Sequence, residues 1–223
     1  MGYILPEIYQ SICHENNLKL PKIFIETGTF KGGIPHRMLE TYGTLDPFKK
    51  IYTIEIDEDI CKVASKRYKL FEKYKGDTSK FNPHTDKKDE TFKDRGEYFD
   101  EKLVLLCSDS PVMLKKILND INEPCCFWLD AHAGSIKFAR SKIDCPLLQE
   151  LSIIAEHKIK NHIIAIDDVD MFGKRQTVRG KVVCDYSYIT VDTVKEKLFE
   201  INPNYDIGIY APYQMEMLLA FKL

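Results

Sequence analysis

Lys22-Ile-Phe-Ile-Glu26-Thr27-Gly28-Thr29-Phe30-Lys31-Gly32-Gly33 begins as an apolar, β-rich run and ends as a glycine-rich turn. A helical stretch, Ile34–Tyr42, follows at once, with Pro35 in its first turn, where a missing N–H does no harm. Gly28 permits a tight turn, Gly32 or Gly33 lets backbone approach a ligand, and the helix N-terminus offers unpaired N–H groups. The spacing does not fit the dinucleotide fingerprint G-x-G-x-x-G, so this turn alone leaves the ligand open.

Outward from that turn the pattern repeats. Lys22–Glu26, Ile51–Ile56, Leu103–Cys107, Cys125–Asp130 and Ile163–Asp167 are almost continuously apolar, as central parallel strands covered on both faces must be. Helical stretches at Glu58–Tyr74, Pro111–Asn119 and Leu147–Lys158 alternate with them, which predicts an α/β sheet with crossover helices. Asp192–Glu200 reads as a further helix, and Tyr205–Tyr210 with Met215–Lys222 as an antiparallel hairpin that ends the sheet. Residues Lys75 to Lys102 hold fifteen charged side chains in twenty-eight without an apolar period, and read as a solvated insertion loop. Met171–Tyr188, with Lys174, Arg175, Arg179 and Lys181, reads first as a solvated basic loop and alternatively as a clamp on an anionic ligand.

The 223 residues are 44% hydrophobic and 30% charged, which excludes disorder and collagen-like composition and predicts one domain spanning 1–223. Thirty-two basic against thirty-four acidic residues leave −2, too little field to expect a nucleic acid as partner. Seven cysteines without a C-x-x-C read as reduced, mostly buried thiols in a cytosol-like compartment. No basic n-region opens the chain and nowhere do eighteen apolar residues run together, so a soluble, cytoplasmic protein without a membrane span is expected.

Carboxylates close three of the strands. Glu55 ends the second strand and is suited to accept both hydroxyls of a ribose, while Asp57 is read as the cap of the next helix. The alternative is that both acids merely cap and solvate the helix start. Asp130 and His132 follow the fourth strand, and Asp167 and Asp168 the fifth. Adjacent strands lie about 5 Å apart, so these acids converge at the carboxyl edge and repel unless a proton or a cation intervenes. Oxygen donors without thiolate favour Mg²⁺, Mn²⁺ or Ca²⁺ over zinc. Neighbouring strand residues face opposite ways, so Asp167 and Asp168 share an ion only if the strand ends between them. Otherwise Asp168 is a cap and Asp130 a lone substrate contact.

The ordered set E-T-G-T-F-K-G-G, I-E-I-D and C-S-D-S resembles the class I S-adenosylmethionine-dependent methyltransferases, over Pro21 to Leu223. The resemblance implies a Rossmann-like sheet of seven strands in the order 3-2-1-4-5-7-6, with strand 7 antiparallel. It implies that S-adenosylmethionine is held by Glu26, Thr27, Gly28, Thr29 and Gly32 at its methionine part. Glu55 and Ile56 would then meet the ribose, and Asp109 and Ser110 the adenine. The D…D-D arrangement is similar to that of metal-dependent sugar O-methyltransferases of the macrocin type. That likeness implies a divalent metal, most simply magnesium, on Asp130, Asp167 and Asp168, with Asp130 and His132 as catalytic residues and His132 as the base. The expected activity is methylation of a sugar hydroxyl in a glycan or glycoconjugate. Two other readings stay open: a catechol-type O-methyltransferase, which an aromatic-walled acceptor pocket would favour, and a non-catalytic cofactor-binding scaffold. Base methylation ranks low, because L-D-A-H stands where nucleic-acid amino methyltransferases carry a D/N-P-P-Y-like motif. Homo-oligomerisation is left open.

Overall fold

Five consecutive buried side chains put Ile23–Thr27 (β1) in the middle of a sheet, where Phe24 pairs in parallel register with Ile51 on one side and Cys126 on the other. The structure, a computed structural model, describes residues 6–39, 48–73, 97–99, 102–133, 139–210 and 216–222. After Pro6–Glu15 (α1) and β1 come Gly33–Leu39 (α2), Lys50–Glu55 (β2), Glu58–Lys73 (α3), Glu97–Phe99 (β3), Leu103–Cys107 (β4) and Ser110–Asp120 (α4). Cys125–Leu129 (β5), Leu147–Glu156 (α5) and Ile163–Ile166 (β6) complete the regular alternation. Arg175–Val178 (β7), Lys181–Asp185 (β8), Val191–Ile201 (α6), Tyr205–Tyr210 (β9) and Met217–Lys222 (β10) follow.

The sheet order is β3-β4-β2-β1-β5-β6-β10-β9, and β10 runs antiparallel to both β6 and β9. Seven of these strands reproduce the order expected from the sequence. The eighth is a correction: Glu97–Phe99, read as part of the charged loop, adds an antiparallel edge strand to β4. The rest of that insertion lies outside the described residues, apart from Lys102.

Alternation along β5 shows how the core divides. Phe127 faces a layer with Ile25, Leu114, Leu151 and Leu198, whereas Trp128 faces the opposite layer with Phe24, Met38 and Tyr68. Helix α1, which the sequence reading did not anticipate, closes the second layer: its buried Tyr9 donates to the Phe127 carbonyl at 2.7 Å and meets Phe24 edge-on. Among the described residues no helix is long and apolar enough to cross a membrane.

Two further expectations are corrected. Cys61 and Cys107, 46 positions apart, form a disulfide, because α3 folds back over β4 and brings their Cα atoms to 6.1 Å. Cys13, Cys125, Cys126, Cys145 and Cys184 are free and buried. The basic segment is no loose loop: β7 and β8 form their own two-stranded ribbon, turned at Arg179 (φ 52°) and Gly180 (φ 75°). Two successive positive φ values across a two-residue connection match the twist of paired strands.

At the opposite edge of the sheet a chain of imidazoles is buried. The Cys125 N–H donates to His162 Nδ1 at 3.0 Å, which leaves His162 Nε2–H to donate to His157 Nδ1 at 3.0 Å; His157 Nε2–H donates to the Ile121 carbonyl at 3.0 Å. Every ring nitrogen is committed with both rings neutral. Burial, then the neighbouring His157, push His162 down to about 3, with Lys160 adding to the effect. The folded value lies below the unfolded one near 6.5, so the contribution is complete above that pH and is lost on acidification toward about 3. Urea unfolding between pH 6.5 and 4 is expected to show wild type losing up to about 1.4 kcal/mol per pH unit more than His162→Asn, whose carbonyl still accepts from Cys125. Parallel slopes would place the acid sensitivity elsewhere.

Candidate active-site cleft

β1, β2, β4, β5 and β6 run the same way, so their carboxyl ends share one rim, and a cleft of about 330 Å³ opens along it. Gly28 lies at its centre. With φ +83° it turns the chain so closely that a Cβ there would stand 2.3 Å from the Asp130 carbonyl oxygen. Its N–H and that of Thr29 both donate to the Ile54 carbonyl, at 2.9 and 3.1 Å, which ties the loop to β2.

On the β2–β4 side, Glu55 is held by two backbone donors, Phe30 N–H at 2.8 Å and Asp57 N–H at 2.9 Å. Burial raises its carboxyl above the ordinary range, although these N–H groups pull the other way. Asp57 caps α3 as expected, accepting from Asp59 and Ile60 at 3.0 Å, while its second oxygen takes the Ala139 N–H at 2.8 Å. Those contacts outweigh its partial burial and hold its carboxyl below the usual value. Ser141 donates to Asp109 at 2.8 Å, so residues 139–141 close over the β2–β4 end. The Ser110 hydroxyl reaches inward to the buried Glu150 at 2.5 Å, a carboxyl that burial pushes up to about 7.

Gly28, Glu55, Ile56, Asp109 and Ser110 therefore line the cleft, as do Asp130, His132, Asp167 and Asp168. Glu26, Thr27, Thr29 and Gly32 are not among the lining residues. Glu26 is buried beneath the loop, where it accepts from the Thr53 hydroxyl and burial pushes it up to about 8. Thr29 meets the same Thr53 hydroxyl, and a Cβ at Gly32 would run into the Tyr68 hydroxyl at 2.7 Å. These positions shape the loop from below.

The β5–β6 side is acidic. β6 ends at Ile166, before both acids and not between them, and Asp168 takes a left-handed backbone (φ 56°, ψ 32°). His132 Nε2 lies 3.5 Å from Asp130 Oδ1 and 3.2 Å from Asp168 Oδ2. Asp130, His132 and Asp168 each offer one ligand atom within 4.8 Å of the others; Asp167 stands outside that set. Burial, followed by the charges of Asp167, Asp168 and Glu26, drives the Asp130 carboxyl far above its ordinary value. His132 Nδ1 is buried and without a hydrogen-bond partner among the described residues.

Sequence reasoning did not place the groups that come from outside the parallel sheet. Arg140, Asp144 and Gln176 line the cleft, and Tyr186 donates to Asp168 Oδ2 at 2.9 Å. The tyrosine is only 2% exposed, with its phenol pushed upward by burial and by Asp168. No periodicity marks these residues, and tyrosine in a basic stretch carries no signal of burial.

The sequence expectation that Glu55 meets a ribose is tested by Glu55→Ala, which on that expectation weakens S-adenosylhomocysteine binding by about 1.5–3 kcal/mol, the cost of losing a charged acceptor for paired hydroxyls. Calorimetry at wild-type affinity would move the ribose contact to another residue.

No protein-family model and no curated protein matches the chain. Solved structures do. A structure assigned as an O-methyltransferase from Klebsiella pneumoniae aligns with TM-score 0.54 and 14% identity, over 99% of this chain and 82% of that one. One from Staphylococcus aureus, assigned as a caffeoyl-CoA O-methyltransferase, aligns with TM-score 0.51 and 13% identity, over 99% and 84%. The O-methyltransferase from Bacillus cereus, crystallised in complex with SAH, aligns with TM-score 0.51 and 11% identity, over 97% and 80%. At such identities the likeness speaks for architecture, and with the strand order it gives this chain the fold of the class I S-adenosylmethionine-dependent methyltransferases.

Proposed function

We propose that the protein transfers a methyl group from S-adenosylmethionine to a hydroxyl of a polyhydroxylated acceptor, most simply a sugar in a glycan, with help from a divalent cation. One observation carries the reading. Among the described residues the cleft is lined by six carboxylates, those of Glu55, Asp109, Asp130, Asp144, Asp167 and Asp168, against one guanidinium, that of Arg140. Such a lining attracts cationic ligands and repels anions. A sulfonium donor and a divalent ion are both cationic. The solved structure in complex with SAH supports the donor, since it shares this fold.

The residues fit both ligands. Glu55 already holds its two oxygens in fixed directions at the cleft, and Gly28 leaves the loop open where a side chain would fill it. Asp130, Asp168 and His132 Nε2 would hold the cation, a set of two oxygens and one nitrogen that suits Mn²⁺ or Mg²⁺. A bound divalent ion lowers the pKa of a coordinated hydroxyl and orients its neighbour. The chain's own task is to bring donor carbon and acceptor oxygen into line, and Gly28 does so by seating the donor loop directly against Asp130. With Nε2 between the two aspartates, His132 is a ligand in this reading and not the base, and the proton released by the acceptor hydroxyl would pass to Asp167, a cleft carboxylate outside the ligand set.

The acceptor wall favours a sugar over a planar phenol. Among the described residues lining the cleft, Phe30 is the one phenyl or phenol side chain and it belongs to the donor loop; Gln176, Arg140 and Asp144 are polar, while Phe172 and Tyr186 line a smaller cavity beside Asp130 and Asp168. The test is methyl incorporation from labelled S-adenosylmethionine into neutral glycans and catechols, with and without EDTA. Transfer to neutral glycans that EDTA stops supports the reading. Transfer to catechols alone, or donor binding without turnover, overturns it.

A further inference from the structure

We infer that Tyr186 is a positioning residue for Asp168, and that the β7–β8 ribbon, whose last residue Asp185 precedes it, supports the cation site. The inference rests on the reading of Asp130, His132 and Asp168 as cation ligands. Asp168 is a single left-handed residue beyond the end of β6, so its backbone alone does not fix its carboxylate. Tyr186 supplies the missing constraint, donating to Asp168 Oδ2 at 2.9 Å while its ring lies 5.9 Å from that of His132. One side chain thus touches two of the three proposed ligands. Hydrogen bonds to a ligating carboxylate orient it, and their removal lowers metal affinity about 10- to 100-fold.

The ribbon is anchored well enough to serve as a support. Tyr186 N–H donates to the Lys174 carbonyl at 2.9 Å, and the Tyr186 carbonyl accepts from Gly173 at 3.1 Å and Ile189 at 2.9 Å. The Asp185 N–H donates to Asp144 at 3.0 Å, and Arg140 donates to the Val183 carbonyl at 2.7 Å. Tyr188 makes a comparable anchor, its hydroxyl donating to the Cys145 carbonyl at 2.6 Å, but its recorded bonds do not include Asp168. It is therefore the control.

The experiment is a Mn²⁺ titration followed by electron paramagnetic resonance at saturating S-adenosylhomocysteine, on wild type, Tyr186→Phe and Tyr188→Phe. Phenylalanine keeps the ring and removes one oxygen, so melting temperature and S-adenosylhomocysteine affinity are expected to stay near wild type. Tyr186→Phe is expected to weaken Mn²⁺ about 10- to 100-fold and to change the bound-ion spectrum, whereas Tyr188→Phe stays within about threefold. In an Asp168→Asn background the Tyr186→Phe loss is expected to shrink, because contacting residues are coupled. Unchanged affinity in Tyr186→Phe, an equal loss in Tyr188→Phe, or an undiminished loss in the Asp168→Asn background overturns the inference alone. A wild type that binds no Mn²⁺ overturns the cation reading as well.

Discussion

Replacing Asp168 by Ala is expected to lower methyl transfer at least about a thousandfold while leaving S-adenosylhomocysteine affinity within about threefold. A divalent ion at a reacting oxygen is worth several kcal/mol, and about 4 kcal/mol corresponds to three orders of magnitude in rate. In the proposed reading Asp168 is one of three side chains that would hold that ion, and alanine leaves only Asp130 and His132. Donor affinity is spared because Glu55 and Asp109 sit on β2 and after β4, on the far side of β1 from β6. Asp168→Asn keeps an oxygen and loses the charge, so its rate should fall between the two. The assay is labelled methyl transfer to a responsive glycan, paired with calorimetry. An alanine variant that turns over at the wild-type rate would remove Asp168 from the chemistry.

Gly28→Ala is expected to lower stability by about 2–4 kcal/mol and the melting temperature by about 5–15 °C. Two costs combine. At φ +83° an L side chain is strained by about 1–2 kcal/mol, and its Cβ would meet backbone, 2.3 Å from the Asp130 oxygen and 2.7 Å from its carbon. Backbone cannot swing aside as a side-chain tip can, so β1 and β5 must separate or the loop must rebuild. Gly180→Ala separates the two costs: φ is +75° and nothing stands within 4 Å of the added carbon. That variant should lose only the strain, about 1–2 kcal/mol. Scanning calorimetry of both proteins decides, and equal losses would show that the contact with Asp130 contributes nothing.

What the sequence disclosed follows from which residues carry period or charge. Ile23–Thr27, Cys125–Leu129 and Ile163–Ile166 are buried on both faces, so their continuous apolar runs could be read directly, and acids just beyond them necessarily fell on one rim. Glu97–Phe99 was lost because three residues beside a run of charges show no alternation, and an edge strand needs burial on one side only. The β7–β8 ribbon was lost because three of the four β7 positions are exposed, and Arg179-Gly180 is a weak turn signal beside Asn-Gly or Asp-Gly. Tyr186 and the Cys61–Cys107 pair depend on chain segments that meet only after folding. The paired aspartates were legible as acids, but only the left-handed turn at Asp168 decides which of them joins His132.

That turn also bounds what directed evolution can do at this corner. A library randomised at codon 168 enters with most of its alphabet handicapped, since at φ 56° glycine, asparagine, aspartate and histidine are tolerated best. Glycine brings no donor atom and asparagine no charge. Attempts to tune the proposed cation site should therefore diversify Asp130 or His132 and leave position 168 untouched.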